Sequence, residues 1–145
     1  MINKIKIITI GKIKEKYIKE GTEEFLKRIK IFSQIEIIEI KDRGIKEDTE
    51  NILEIINKQK TNNIFILDEK GVEFSSLDFS NFMNKIEGEI VFIIGGAYGL
   101  EDRIKKDINL ISLSKMTFIH EMARLFLLEQ IYRGFMIINN RNYHK

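Results

Sequence analysis

Apolar and polar positions alternate with period two in five short stretches: "KIKIITI" (4–10), "IEIIEI" (35–40), "NIFILD" (63–68), "EIVFII" (89–94) and the shorter "NLISL" (109–113). Isoleucine, a β-branched residue that fits a pleated surface, dominates them, and each is predicted as a strand. The intervals carry apolar residues at helical spacing. Residues 14–31 show it at Tyr17, Ile18, Phe25 and Ile29, and 47–60 at Ile52, Leu53, Ile55 and Ile56. It returns at Phe79, Phe82, Met83 and Ile86 within 75–86, in a short acidic-to-basic stretch at 101–107, and over 118–138. Strands alternating with helices predict an α/β fold: a mostly parallel sheet of five to six strands, covered by helices on both faces. No repeat, linker or low-complexity segment interrupts the order, so residues 1–145 read as one domain.

In such a sheet, ligands bind outside the carboxyl ends of the strands, where Asp68–Gly71, Gly95–Leu100 and Leu113–Thr117 emerge. The middle segment belongs to "FIIGGAYGL" (92–100). It is neither a dinucleotide fingerprint, since Ile94 stands where the first glycine of G-x-G-x-x-G belongs, nor a P-loop, since no Gly-Lys-Ser/Thr follows. Two readings stay open: a strand ending in a flexible turn, or backbone laid against a flat ligand where a Cβ would clash. The third segment, "SLSKMTF" (112–118), has the hydroxyl residues of a helix start, with Thr117 as N-cap and Glu121 in the first turn.

The last helix has no constant apolar face. On a projection of 3.6 residues per turn, His120, Glu121 and Arg124 share one side of the first half, opposite Met122, Ala123, Leu125 and Phe126. In the second half Leu128, Ile131, Phe135 and Ile138 take over the side that had been polar, and Glu129, Gln130 and Arg133 lie opposite. One half then reads as core and part of the other as a contact with a second subunit; a centrally buried helix is the alternative.

Composition narrows the classes. There is no cysteine, which excludes disulfides and thiolate metal sites, and two histidines, His120 and His144, do not make a metal centre. No stretch has the length of a membrane span, and a soluble protein in a reducing, cytoplasmic setting is expected. Charge is uneven although the net is only +2. Residues 1–30 carry nine basic and four acidic side chains and 103–145 carry eight and three, whereas 61–102 carry two and eight. Basic ends flanking an acidic middle suit a polyanionic partner approached by the termini, although a solvated surface of uneven charge is the commoner cause of such a pattern.

The combination of "FIIGGAYGL", "ISLSKMTF", "HEMARLFLLEQIYRGFMII" and a chain ending "NYHK", with "ILDEKG" (66–71) and "SS" (75–76) upstream, resembles the ribosomal large-subunit rRNA methyltransferase H family of the SPOUT class. The resemblance runs from end to end. It implies a trefoil knot near the C-terminus, which ordinary topology rules would reject. It also implies a homodimer that moves a methyl group from S-adenosylmethionine to N3 of a pseudouridine in 23S rRNA, in the assembled ribosome and without a metal. Carried over by motif position, the implied cofactor site is Leu67, Gly95 and the run Leu113, Ser114, Lys115, Met116, Thr117 and Phe118. The implied catalytic surface is Glu129, Arg133, Tyr143, His144 and Lys145. Two positions depart from the family pattern: Ile119 and Ala97 stand where proline is common, and both bear on loop rigidity.

A sulfonium is already an activated methyl donor, so the implied chemistry rests on holding donor and nitrogen in line. The N3 proton must also leave. By resemblance His144 is the expected base, and Arg133 or Lys145 the stabiliser of the resulting anion. Two other classes compete: a noncatalytic ribosome-associated RNA-binding protein that keeps the fold, and a nucleotide-binding regulator that meets no RNA.

Overall fold

The computed structural model describes all residues, 1–145. Its sheet has five strands: β1 (Ile2–Ile10), β2 (Gln34–Ile40), β3 (Ile64–Glu73), β4 (Gly88–Ile94) and β5 (Asn109–Ser112). They lie in the order β2-β1-β4-β3-β5, and every pairing is parallel. The expected strands are therefore present, in a purely parallel sheet.

Side-chain alternation sorts the isoleucines to two faces. Ile5 and Ile7 of β1, with Ile90, Phe92 and Ile94 of β4, join the core beneath α1 (Lys16–Ile29), α3 (Ser76–Lys85) and α4 (His120–Ile138). Ile8 and Ile10, with Val91 and Ile93, join a second core beneath α2 (Ile45–Asn57) and the 3-10 turn Asp102–Lys105, through Ile52, Leu100 and Ile104. Helices cover both faces as expected, with the 101–107 stretch reduced to that single turn.

α4 packs between α1 and α3, and its second half supplies the core residues Leu127, Leu128, Ile131 and Phe135. The polar side of its first half is buried too. Arg124 is only 2% exposed and spans to β1 and β2: Nη1 pairs with Glu39 at 2.8 Å, and Nη2 donates to Thr9 Oγ1 at 2.8 Å and to the Gly11 carbonyl at 3.2 Å. Glu121 accepts from the amides of Lys14 (2.7 Å) and Glu15 (3.1 Å), fixing the connection between β1 and α1. The face swap thus has a source within one chain: the first half docks by ion pair and hydrogen bonds, the second by apolar packing. Thr117 is not the N-cap. The helix begins after Ile119, which caps with backbone only, while the Thr117 hydroxyl donates to Glu69.

β3 contains a feature absent from the pattern. Leu67 and Val72 both pair with Ile111 of β5, so Asp68–Gly71 leave the ladder and return. Gly71 makes this return possible, because a Cβ there would lie 2.6 Å from the backbone of Leu110 and Ile111.

Candidate cofactor pocket and C-terminal cluster

At the carboxyl edge of the sheet three adjacent strands each deliver one of the expected segments. β4 runs into Gly95, β3 into the excursion after Leu67, and β5 into the loop 113–119. Between that loop, the start of α3 and the middle of α4 lies a cavity of about 240 Å³. Leu113, Phe118 and Phe126 line its apolar part, with Phe118 and Phe126 edge to face at 5.1 Å, and Ser75, Ser76, Glu129 and Gln130 its polar part. Sites that enclose a whole ligand measure roughly 300–1,000 Å³. A larger ligand seated here would extend beyond the cavity.

Of the eight expected cofactor residues, only Leu113 and Phe118 line the cavity. Leu67 is half-buried in the ladder beside Ile111, and Gly95 lies at the end of β4. Ser114 bonds within its own loop: its amide donates to Ser112 Oγ at 3.1 Å and its hydroxyl accepts from the Met116 amide at 3.0 Å. Lys115, Met116 and Thr117 are exposed, the first paired with Glu73 at 3.9 Å. The amides of Lys115, Thr117 and Phe118 bond to nothing within the chain. These unpaired backbone donors lie in the same loop as Leu113 and Phe118, the two of its residues that line the cavity.

The glycine turn has an internal reason for its composition. The Gly99 amide closes on the Gly96 carbonyl at 3.0 Å, and Gly99 holds φ = +75°. A Cβ on Gly95 would come within 3.2 Å of Gly99 backbone and 3.3 Å of Leu100. Gly95 therefore permits the turn to fold back on β4, whatever else it permits. Lys105 holds Asp68 at 2.8 Å. Burial by itself raises the Asp68 carboxyl, but the hydrogen bonds from Lys105 and from the Lys70 amide outweigh it and keep the group below its ordinary value.

Four of the five expected catalytic residues meet. Glu129 Oε1 accepts from Arg133 Nη2 at 2.5 Å, Arg133 Nε at 3.1 Å and Tyr143 Oη at 3.0 Å. Arg133 Nη1 reaches His144 Nδ1 at 3.2 Å, and its guanidinium lies over the Tyr143 ring at 4.7 Å. Tyr143 also packs edge to face on Tyr132 at 4.8 Å. A tail that sequence position alone would leave frayed is folded back onto α4. Burial, then the hydrogen bond and charge of Glu129, push the Tyr143 phenol above its ordinary value, with Arg133 and Arg28 opposing. Lys145, the fifth, ends the chain in solvent.

Two residues outside the expected set complete the cluster. Ser76 Oγ donates to Gln130 Oε1 at 2.7 Å, and Gln130 Nε2 donates to Glu129 Oε2 at 2.9 Å. The sequence signals were the "SS" motif that contains Ser76 and the position of Gln130 next to Glu129, and neither reveals that the two side chains meet.

Residues 3–144 match the family model described as a predicted SPOUT methyltransferase. The chain is 42% identical over 153 residues to the ribosomal RNA large subunit methyltransferase H of Caldicellulosiruptor saccharolyticus, covering 97% of this chain and 99% of that one. It is also 42% identical over 158 residues to the protein of the same name from Streptococcus uberis, at 98% and 99% coverage. Among solved structures, a probable methylase family protein from Haemophilus influenzae superposes with a TM-score of 0.59 at 10% identity, over 97% of this chain and 70% of that one. A ribosomal RNA small subunit methyltransferase E from Neisseria gonorrhoeae, bound to S-adenosyl methionine, gives 0.54 at 14% identity, over 88% and 64%. These two share the fold alone. With a parallel sheet of this order, a pocket at its carboxyl edge and near-complete coverage by close relatives, the chain belongs to the ribosomal RNA large subunit methyltransferase H family of SPOUT methyltransferases.

Proposed function

We propose that the chain is an S-adenosylmethionine-dependent methyltransferase that modifies N3 of a pseudouridine in 23S rRNA of the assembled ribosome. The observation that carries the reading is the double role of Glu129, which lines the cavity beside Leu113 and Phe118 and also anchors Arg133 and Tyr143. Pocket and tail are thereby joined through one carboxylate. S-adenosylmethionine, when bound, supplies a methyl group on a sulfonium. Leu113 and Phe118 would hold its adenine ring, the free amides of 115, 117 and 118 its edge, and the strand ends at Leu67 and Gly95 the part beyond the cavity. Arg133 keeps two N–H groups free after its bonds to Glu129 and His144, and Lys145, at the end of the chain, is free to approach the RNA. Their positive charge favours the base in its N3-deprotonated form.

The reading includes a trefoil knot in the C-terminal third, a cytoplasmic location and a homodimer. For the last, Met116 and Ile119 are 74% and 59% exposed and Phe126 is 37% exposed, an apolar strip beside the pocket that a second copy would cover. Calorimetry with S-adenosylmethionine, then methyl transfer to ribosomes from a strain lacking the modification, tests the proposal. Cofactor binding without transfer would favour a regulator or a noncatalytic ribosome-binding protein. Sedimentation as a monomer at micromolar concentration would defeat the dimer.

A further inference from the structure

The contact between Arg133 and His144 constrains the chemistry of the imidazole. Every nitrogen of a guanidinium is a donor and none is an acceptor. Nδ1 of His144, 3.2 Å from Arg133 Nη1, must therefore present its lone pair, which places the ring proton of the neutral side chain on Nε2. An imidazole in that state has no free lone pair at Nε2, the nitrogen that faces away from the guanidinium. Resting on the methyltransferase reading, we infer that His144 serves the reaction as an Nε2–H hydrogen-bond donor to a carbonyl oxygen flanking N3, and that it does not act as the general base.

A series of hydrogen bonds holds this state. Ser76 fixes Gln130, Gln130 fixes one oxygen of Glu129, and the other oxygen of Glu129 fixes Nε and Nη2 of Arg133. The third nitrogen of Arg133 is thereby aimed at Nδ1, and the Tyr143 ring closes off one face of the guanidinium. A base at His144 would need the opposite tautomer, with Nδ1–H turned toward a cation that carries only N–H groups on that side. That tautomer would set donor against donor across the 3.2 Å contact.

The atoms balance without a protein base. The N3 proton passes to solvent hydroxide, and the Nε2–H of His144 stabilises the negative charge left on the adjacent carbonyl oxygen. The N3 lone pair then forms the bond to the methyl carbon. The carbon–sulfur bond breaks with its electron pair retained on sulfur. His144 keeps its proton throughout.

The test compares His144→Gln with His144→Ala in single-turnover methyl transfer at saturating ribosomes and S-adenosylmethionine. A glutamine amide donates from nearly the position of Nε2 but cannot take up a proton. The donor role predicts Ala slowed by a factor of about 10² and Gln within about tenfold of the natural protein. Gln as slow as Ala, or Ala at full rate, would overturn it. A second measurement needs neither cofactor nor ribosome: nitrogen-15 NMR of the imidazoles, assigned with His120→Gln, since the chain has only these two histidines. The Nε2–H tautomer is expected at His144, and an Nδ1–H tautomer would overturn the inference even if the enzyme proves active. A natural protein that transfers no methyl group would instead refute the methyltransferase reading, and leave the tautomer to be decided by the NMR.

Discussion

The Tyr143 hydroxyl donates to Glu129 Oε1 at 3.0 Å, which ties the chain's end to the middle of α4 and to the wall of the pocket. Burial raises the Tyr143 phenol first, and the Glu129 bond and charge raise it further. In a spectroscopic titration with Tyr143→Phe as reference, Tyr143 should ionise above its ordinary 10.0, and Glu129→Gln should bring it down. A phenol raised in the folded state stabilises the fold fully below its unfolded value and loses that contribution as pH climbs through the folded one. The docked tail should thus be intact at neutral pH and come loose only in strong alkali. Tyr143 titrating at or below its ordinary value would contradict the bond.

Gly95→Val should abolish cofactor binding and also lower thermal stability. The sequence alone allows a folded protein with a filled site, but a branched side chain here meets Gly99 backbone and Leu100 inside the chain. Gly95→Ala, whose single Cβ already sits at 3.2 Å, should weaken binding less. Calorimetry with S-adenosylmethionine and a melting curve check both, and an unchanged melting temperature for valine would show that the turn yields.

Replacing Arg124 with methionine should cost about 1–3 kcal/mol, the scale of removing hydrogen bonds to buried partners. The roughly 3–5 kcal/mol of a fully buried pair is not expected, because the Glu39 side chain is 36% exposed and can rehydrate. Arg124 Nε is also buried without a partner, which reduces the cost of its removal. A shifted urea midpoint at constant slope is the expected readout.

What the sequence made legible follows from the range of each interaction. Strands appeared because period two is local, and all their bounds except the end of β3 lie within two residues of those predicted. The β3 excursion did not, because its cause is Gly71 lying against Leu110 and Ile111 of β5, far along the chain. Thr117 carried a capping signal but turned to Glu69, and the polar start of α4 looked unfit for burial until Glu39, Thr9 and Gly11 appeared around Arg124. Motif resemblance named Glu129, Arg133, Tyr143 and His144. It could not tell that they touch, nor that Ser76 and Gln130 support them.

Neutralising Lys12, Lys14 and Lys16 should lower the salt dependence of ribosome binding, by about one unit of log–log slope for each phosphate that is no longer neutralised. These lysines lie where Glu121 fixes the backbone at 14 and 15, so they would be presented in a defined place. Lys16 should contribute least, since Glu20 stands 3.8 Å from it. An unaltered slope would mean that all three are merely solvated.

The division of labour between pocket and tail is tested most directly by deleting residues 143–145 and measuring two quantities: affinity for S-adenosylmethionine, and methyl transfer to ribosomes that lack the modification. The pocket is lined by residues up to Gln130, so affinity should persist. Transfer should fall by at least the factor of about 10² typical of removing a positioned catalytic group. Full transfer by the truncated protein would contradict this division and leave Glu129 and Arg133 to carry the chemistry alone.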